Sequence, residues 1–141
     1  MLCAGYPASA RWRAAGLDAA TAQLLSQSQI VVQDLGANLL GLASPSTGKI
    51  YLDDDAAGFG WFIDSTPGLD EEFGSPAGSL THGMDLLTTV MHEMGHLLGL
   101  ADLEASDALM SDRLSTGIRR NPGSSLDIRD ALLAAVERGA W

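Results

Sequence analysis

The sequence predicts an α+β domain: a small mixed sheet with a backing helix, then a long amphipathic helix, an irregular stretch and a last helix. Three observations carry this prediction. Short aliphatic, β-branched runs occur at 30–35, 39–43 and 49–53, each too brief for a helix. Apolar residues at 86, 87, 90, 91, 94, 97 and 98 repeat with the 3.6-residue period of one helix face. A tract rich in Gly, Pro, Ser and acids, 54–81, separates the two patterns and is long for a loop. With 141 residues and 46% hydrophobic residues, the chain is long enough to bury one core, so 1–141 reads as a single domain.

Taken in order, residues 1–16 read as an irregular lead-in that turns helical near Ala8. Residues 17–28 are Ala- and Leu-rich with a stripe at 17, 20, 24 and 25, which predicts a helix. The three strands follow, joined by a Gly36-Ala37-Asn38 turn and a Ser44–Gly48 loop. Phe59–Asp64 is a short aromatic strand inside the acidic tract. The strongest helix covers 84–98, with Asp85 at the positive end of the dipole and Gly99 as its left-handed stop. Residues 100–124 read as irregular, and Ser125 caps a carboxyl-terminal helix over 126–138.

Charge is unevenly spread. Eight Lys and Arg against 18 Asp and Glu give a net −10. Residues 50–112 hold 13 of the acids and no Lys or Arg. Such a field repels phosphate backbones and attracts cations, so no nucleic-acid partner is expected. No apolar run is long enough to span a bilayer, so no membrane partner is expected either. Cys3 is the single cysteine and excludes an intrachain disulfide. The segment from Met1 to Pro7 lacks the basic and apolar regions of a signal peptide. A monomer or one module of a longer chain is expected.

One constellation carries chemistry. His92-Glu93-Met94-Gly95-His96 places two imidazoles at i and i+4 on one helix face, where both reach a single ion. Glu93 stands beside the first of them, positioned to accept a proton from water at that ion. Gly99 ends the helix, and a sharp turn there lets Asp102 return as a third ligand. Two His and one carboxylate leave a fourth zinc position open, the arrangement of a catalytic centre. Asp53, Asp54 and Asp55 are candidate oxygen ligands for calcium, although no EF-hand pattern is present.

The string H-E-x-x-H-x-x-G-x-x-D over 92–102 resembles that of the metzincin metallopeptidases, which carry His at the last position and a Met-turn downstream. The Asp variant is similar to the snapalysin-type branch. Ala108-Leu109-Met110-Ser111 falls where the Met-turn lies, and Leu126–Leu132 resembles the opening of the matrixin carboxyl-terminal helix. The resemblance implies a metzincin-like (zincin) fold, with 1–99 as upper and 100–141 as lower subdomain. It implies a zinc endopeptidase acting on protein or peptide, secreted or at the cell surface. His92, His96 and Asp102 would be its metal ligands, Glu93 its general base and Met110 the hydrophobic floor. Residues 113–122 would wall the primed side, and substrate would add to a strand edge within 57–63. Two other readings stay open: a non-catalytic zinc-stabilised module of a larger bacterial-type surface protein, and a peptidase with a downstream Glu ligand, Glu104 or Glu137.

Overall fold

A computed structural model describes residues 5–73, 82–104 and 107–123. Cys3, the 126–138 helix and Glu137 lie outside these residues. The first described element is α1 (Gly5–Ala14), which begins before Ala8, where the sequence predicts the lead-in to turn helical. Its sequence signal is weak because Pro7 and Gly5 are poor helix formers and its apolar anchors are few. Docking stabilises it instead. Trp12 is 1% exposed, and its indole N–H donates to the Met91 carbonyl at 3.1 Å. Pro7 sits in the first turn, where a missing N–H leaves no helical bond unmade.

Helix α2 (Ala19–Ser26) is shorter than the predicted 17–28 because Asp18 caps it, accepting from the Thr21 N–H at 2.9 Å and its hydroxyl at 2.7 Å. Leu17, Ala22 and Leu25 are buried and Leu24 is 64% exposed, so the buried face is rotated from the predicted stripe. Strands β1 (Gln29–Gln33), β2 (Gly41–Ser44) and β3 (Lys49–Asp53) form one mixed sheet in the order β1-β3-β2. β1 runs parallel to β3, with Val31 opposite Tyr51, and β2 runs antiparallel to it, with Leu42 opposite Tyr51. Alternation on β3 sends Ile50 and Leu52 into the core.

β4 (Trp61–Phe62) pairs in parallel with β5 (Met84–Asp85), which leads directly into α3 (Leu86–Leu97). Asp85 caps α3, accepting from the Thr88 N–H at 3.2 Å and its hydroxyl at 2.6 Å. Val90, Met91 and Met94 of α3 and the adjoining Leu98 are fully buried against Trp12, Leu17, Ile50 and Leu52. The layers are thus sheet, α3 and the α1–α2 pair, the α+β arrangement predicted.

Candidate metal centre and cleft

The end of α3 builds the site. Leu98 is its C-cap and Gly99 adopts φ +92°, the left-handed conformation a glycine takes at little cost. The Leu100 N–H donates to Gly95 O at 2.9 Å and the Gly99 N–H to His96 O at 3.0 Å, a Schellman stop. This reversal does two things. It aims the Leu100 carbonyl at His96, whose Nδ1 lies 2.9 Å away, and it returns the chain so that Asp102 meets both imidazoles. His92 Nδ1 lies 2.9 Å from Leu109 O.

A carbonyl only accepts, so both Nδ1 atoms carry the proton. Neutral imidazoles held this way turn Nε2 lone pairs inward. The two Nε2 atoms are 3.1 Å apart, and Asp102 Oδ1 lies 3.0 Å from that of His92 and 3.1 Å from that of His96. Three electron-pair donors at such distances repel unless a cation sits among them. Tetrahedral zinc with bonds of 2.0–2.1 Å has ligand–ligand edges of about 3.3–3.4 Å, so the donor set fits that ion. Asp102 is half-exposed and leaves one side of the triangle open to solvent.

Met110 is 7% exposed, and its sulfur occupies the space a Cβ on Gly95 would need. The loop that carries it is pinned by Leu103 N–H donating to Met110 O at 2.7 Å and Asp112 N–H to Leu103 O at 2.9 Å. Glu93 is 5% exposed. Burial pushes its carboxyl above the ordinary range, against the lowering pull of His92 and His96. A Cβ on Gly41 of β2 would lie 3.0 Å from Glu93 Cγ and Oε1, so this strand closes directly over the carboxylate.

These groups open into a cavity of about 650 Å³. One wall is Asn38–Ala43, which includes the start of edge strand β2; the other is Leu109 and residues 111–115 with Arg120. The strand edge facing the cleft is therefore β2, not a segment within 57–63: of that segment Ala57 and Phe59 reach the cleft, while Trp61 and Phe62 pair with β5. Sequence order does not reveal which strand of a sheet lies at its edge. His82 is exposed and outside the cleft lining, and Glu104 is outside the ligand cluster.

Asp53 and Asp55 keep their side chains in hydrogen-bonding contact, while Asp54 groups with Asp53 and Asp34. Asp53 is buried, its Oδ1 accepting from the Leu35 N–H and its Oδ2 from the Ala57 N–H, both at 2.8 Å. Those bonds hold its carboxyl down at about 2. Asp55 turns to the Gly58 N–H at 3.1 Å. The carboxylates within reach of one ion are Asp34, Asp53 and Asp54; Asp55 is not of that group. Asp64, Glu71 and Glu72 form a further group, gathered on the Thr66 hydroxyl. Because the folded pKa of Asp53 is depressed, its contribution to stability is complete above the unfolded value near 3.8 and lost as pH falls toward 2. Acid titration of the melting temperature is expected to show a smaller fall over that interval for Asp53→Asn than for wild type, from a lower start.

Sequence reasoning missed Gly41 and the Arg119 cluster. Arg119 is buried, its Nε and Nη2 paired with Asp85 at 2.8 and 2.9 Å and its Nη1 with Asp64 at 2.8 Å and Asp70 at 3.0 Å. An arginine pair after an acidic tract carries no local signal of which of the two is buried among distant carboxylates.

Comparison with known proteins agrees with the geometry. The matrixin family model matches residues 26–132. Metalloendoproteinase 2-MMP of Arabidopsis thaliana is 34% identical over 77 residues, covering 55% of this chain and 18% of that protein. Metalloendoproteinase 5-MMP of the same plant is 35% identical over 78 residues, covering 55% and 19%. The chain therefore spans only a small part of the length of these relatives. No solved structure gives a significant match. With most of its length under the family's pattern, the chain belongs to the matrixins, zinc metallopeptidases of the metzincin type.

Proposed function

We propose that this domain is a zinc-dependent endopeptidase in which Glu93 is the general base. The observation that carries the reading is the convergence of His92 Nε2, His96 Nε2 and Asp102 Oδ1 beside a buried carboxylate in an open cleft. Zinc held by these three residues would supply a Lewis acid that lowers the pKa of water and polarises a peptide carbonyl.

The chain's own groups do the rest. The outer edge of β2, whose Ala43 N–H already donates to Glu93, offers its remaining backbone N–H and C=O groups to an extended peptide, which adds as a further strand. Glu93 takes one proton from the attacking water as its oxygen bonds to the carbonyl carbon. It then delivers that proton to the amide nitrogen as the C–N bond breaks. A raised carboxyl pKa suits both acts, because the group must accept and release a proton near neutrality. Leu100 O and Leu109 O keep the imidazoles in the required tautomer. A secreted or cell-surface setting is part of the proposal; among the described residues no helix is long and apolar enough to cross a membrane.

Incubation with a denatured protein tests the reading. New amino termini should appear by mass spectrometry, and a chelator should prevent them. Intact substrate after long incubation with the zinc-loaded protein would support the non-catalytic module instead. Gly41→Ala should lower kcat roughly 10- to 100-fold with a small change in melting temperature, since the added methyl displaces the Glu93 carboxylate. Unchanged kcat would show that β2 does not position the base.

A further inference from the structure

The charge at the cleft differs from that of the chain. Of the 13 acids in 50–112, three line the cleft: Glu93, Asp102 and Asp112. Glu93 and Asp102 are committed to the centre itself. Two arginines from just beyond the acidic stretch, Arg113 and Arg120, line the same cavity.

The arginines of this chain are treated in two ways. Arg11 and Arg119 are tied to carboxylates: Arg11 to Asp70, Arg119 to Asp64, Asp70 and Asp85. Arg113 and Arg120 form no ion pair among the described residues, although acids outnumber bases by more than two to one. Arg120 is nonetheless held in place. Its Nη1 donates to Arg113 O at 2.6 Å and Ala108 O at 3.4 Å, and its backbone N–H donates to Thr88 Oγ1 at 3.0 Å. Thr88 is one helical turn before His92, so this places Arg120 beside the metal centre along α3. The anchored Nη1 leaves the Nε–Nη2 edge of the guanidinium, a planar fork that matches a carboxylate. Arg113 adjoins it on the exposed rim, with its backbone N–H on Ser111 Oγ at 3.3 Å. Asp112 is the one further charge on this wall.

Resting on the endopeptidase reading, we infer that Arg113 and Arg120 select substrates with an aspartate or glutamate adjacent to the scissile bond. A guanidinium tethered through Nη1, with its other edge unused and a second positive charge beside it, stabilises a carboxylate there and repels a lysine.

Three peptides identical except for Glu, Gln or Lys at that position test this with the zinc-loaded protein. kcat/KM should be at least about tenfold higher for Glu than for Gln, with Lys lowest. Arg113→Glu and the double variant Arg113→Gln/Arg120→Gln should each collapse the Glu-to-Lys ratio by at least tenfold, provided their melting curves remain cooperative. A binding arm runs beside it: zinc-loaded Glu93→Gln protein with the labelled Glu and Lys peptides, at low and high salt. Tighter binding of the Glu peptide, weakened by salt, is expected. Equal kcat/KM for Glu and Lys, or a preference that survives Arg113→Glu, would overturn the inference. Failure to cleave any peptide would count against the peptidase reading, and the binding arm would then decide the selectivity alone.

Discussion

Glu93→Gln is expected to stop peptide hydrolysis while leaving fold and metal in place. The amide matches the carboxylate in shape but cannot accept a proton from the attacking water. Loss of a positioned general acid–base is worth about 10²–10⁴ in rate. Glu93 is not one of the three converging ligand residues, so zinc content should stay at the wild-type value. Its carboxylate is buried and pushed upward by that burial, so a neutral amide there should not lower the melting temperature. Single-turnover cleavage, metal analysis and a thermal melt on one preparation check all three outcomes. Activity within tenfold of wild type would remove Glu93 from the mechanism.

Arg119→Met should cause the largest loss of stability. The methionine keeps the apolar stem and removes the charge shared by Asp64, Asp70 and Asp85. Asp64 and Asp85 have side chains 1% exposed, and without Arg119 their charges lack a counter-ion. The guanidinium also lies 4.4 Å from the Phe73 ring centroid, and its attraction to the ring face disappears with the charge. Breaking one side of a buried ion network costs about 3–5 kcal/mol. For a domain of this size that lowers the melting temperature by on the order of 10–20 °C. Asp85 also caps α3, so the loss reaches the helix that carries His92, Glu93 and His96.

The pH dependence should weaken as well. Burial raises the Asp64 carboxyl, but the Thr66 N–H and Arg119 outweigh it and hold it below its usual value. Asp70 is lowered against burial by Arg11 and Arg119. A depressed folded pKa contributes stability that is complete above the unfolded value near 3.8 and lost as pH falls through the folded one. In Arg119→Met the Thr66 N–H still lowers Asp64 and Arg11 still lowers Asp70, so the fall of stability on acidification should be shallower than in wild type. Melting temperatures between pH 6 and 3 separate the two slopes.

How much of this was legible in the sequence follows the range of each interaction. α3 was readable because its period, its Asp85 cap and its Gly99 stop are all local. The ligand spacing in 92–102 is equally local, which is why His92, His96 and Asp102 could be named before their geometry was known. α1 was only partly readable, because its anchor Trp12 is fixed by Met91, 79 residues away. The edge position of β2 depends on β1 and β3 pairing across the intervening hairpin. The three consecutive acids are local, but the grouping of Asp53 and Asp54 with Asp34, and the two backbone N–H groups on Asp53, come from residues outside that run. Arg119 meets Asp64 and Asp85 across 55 and 34 residues, a distance no local pattern encodes.

The most direct test of the account is a zinc titration of chelator-stripped protein in which bound metal and peptide cleavage are read from the same samples. Cleavage should be absent without metal, rise in proportion to zinc bound and reach its maximum at about one zinc per chain, the capacity of a three-residue site with one open position. Asp102→Ala should need far more zinc to reach any given occupancy. Cleavage by the stripped protein at the wild-type rate would contradict the account, and so would full zinc occupancy of wild type without cleavage.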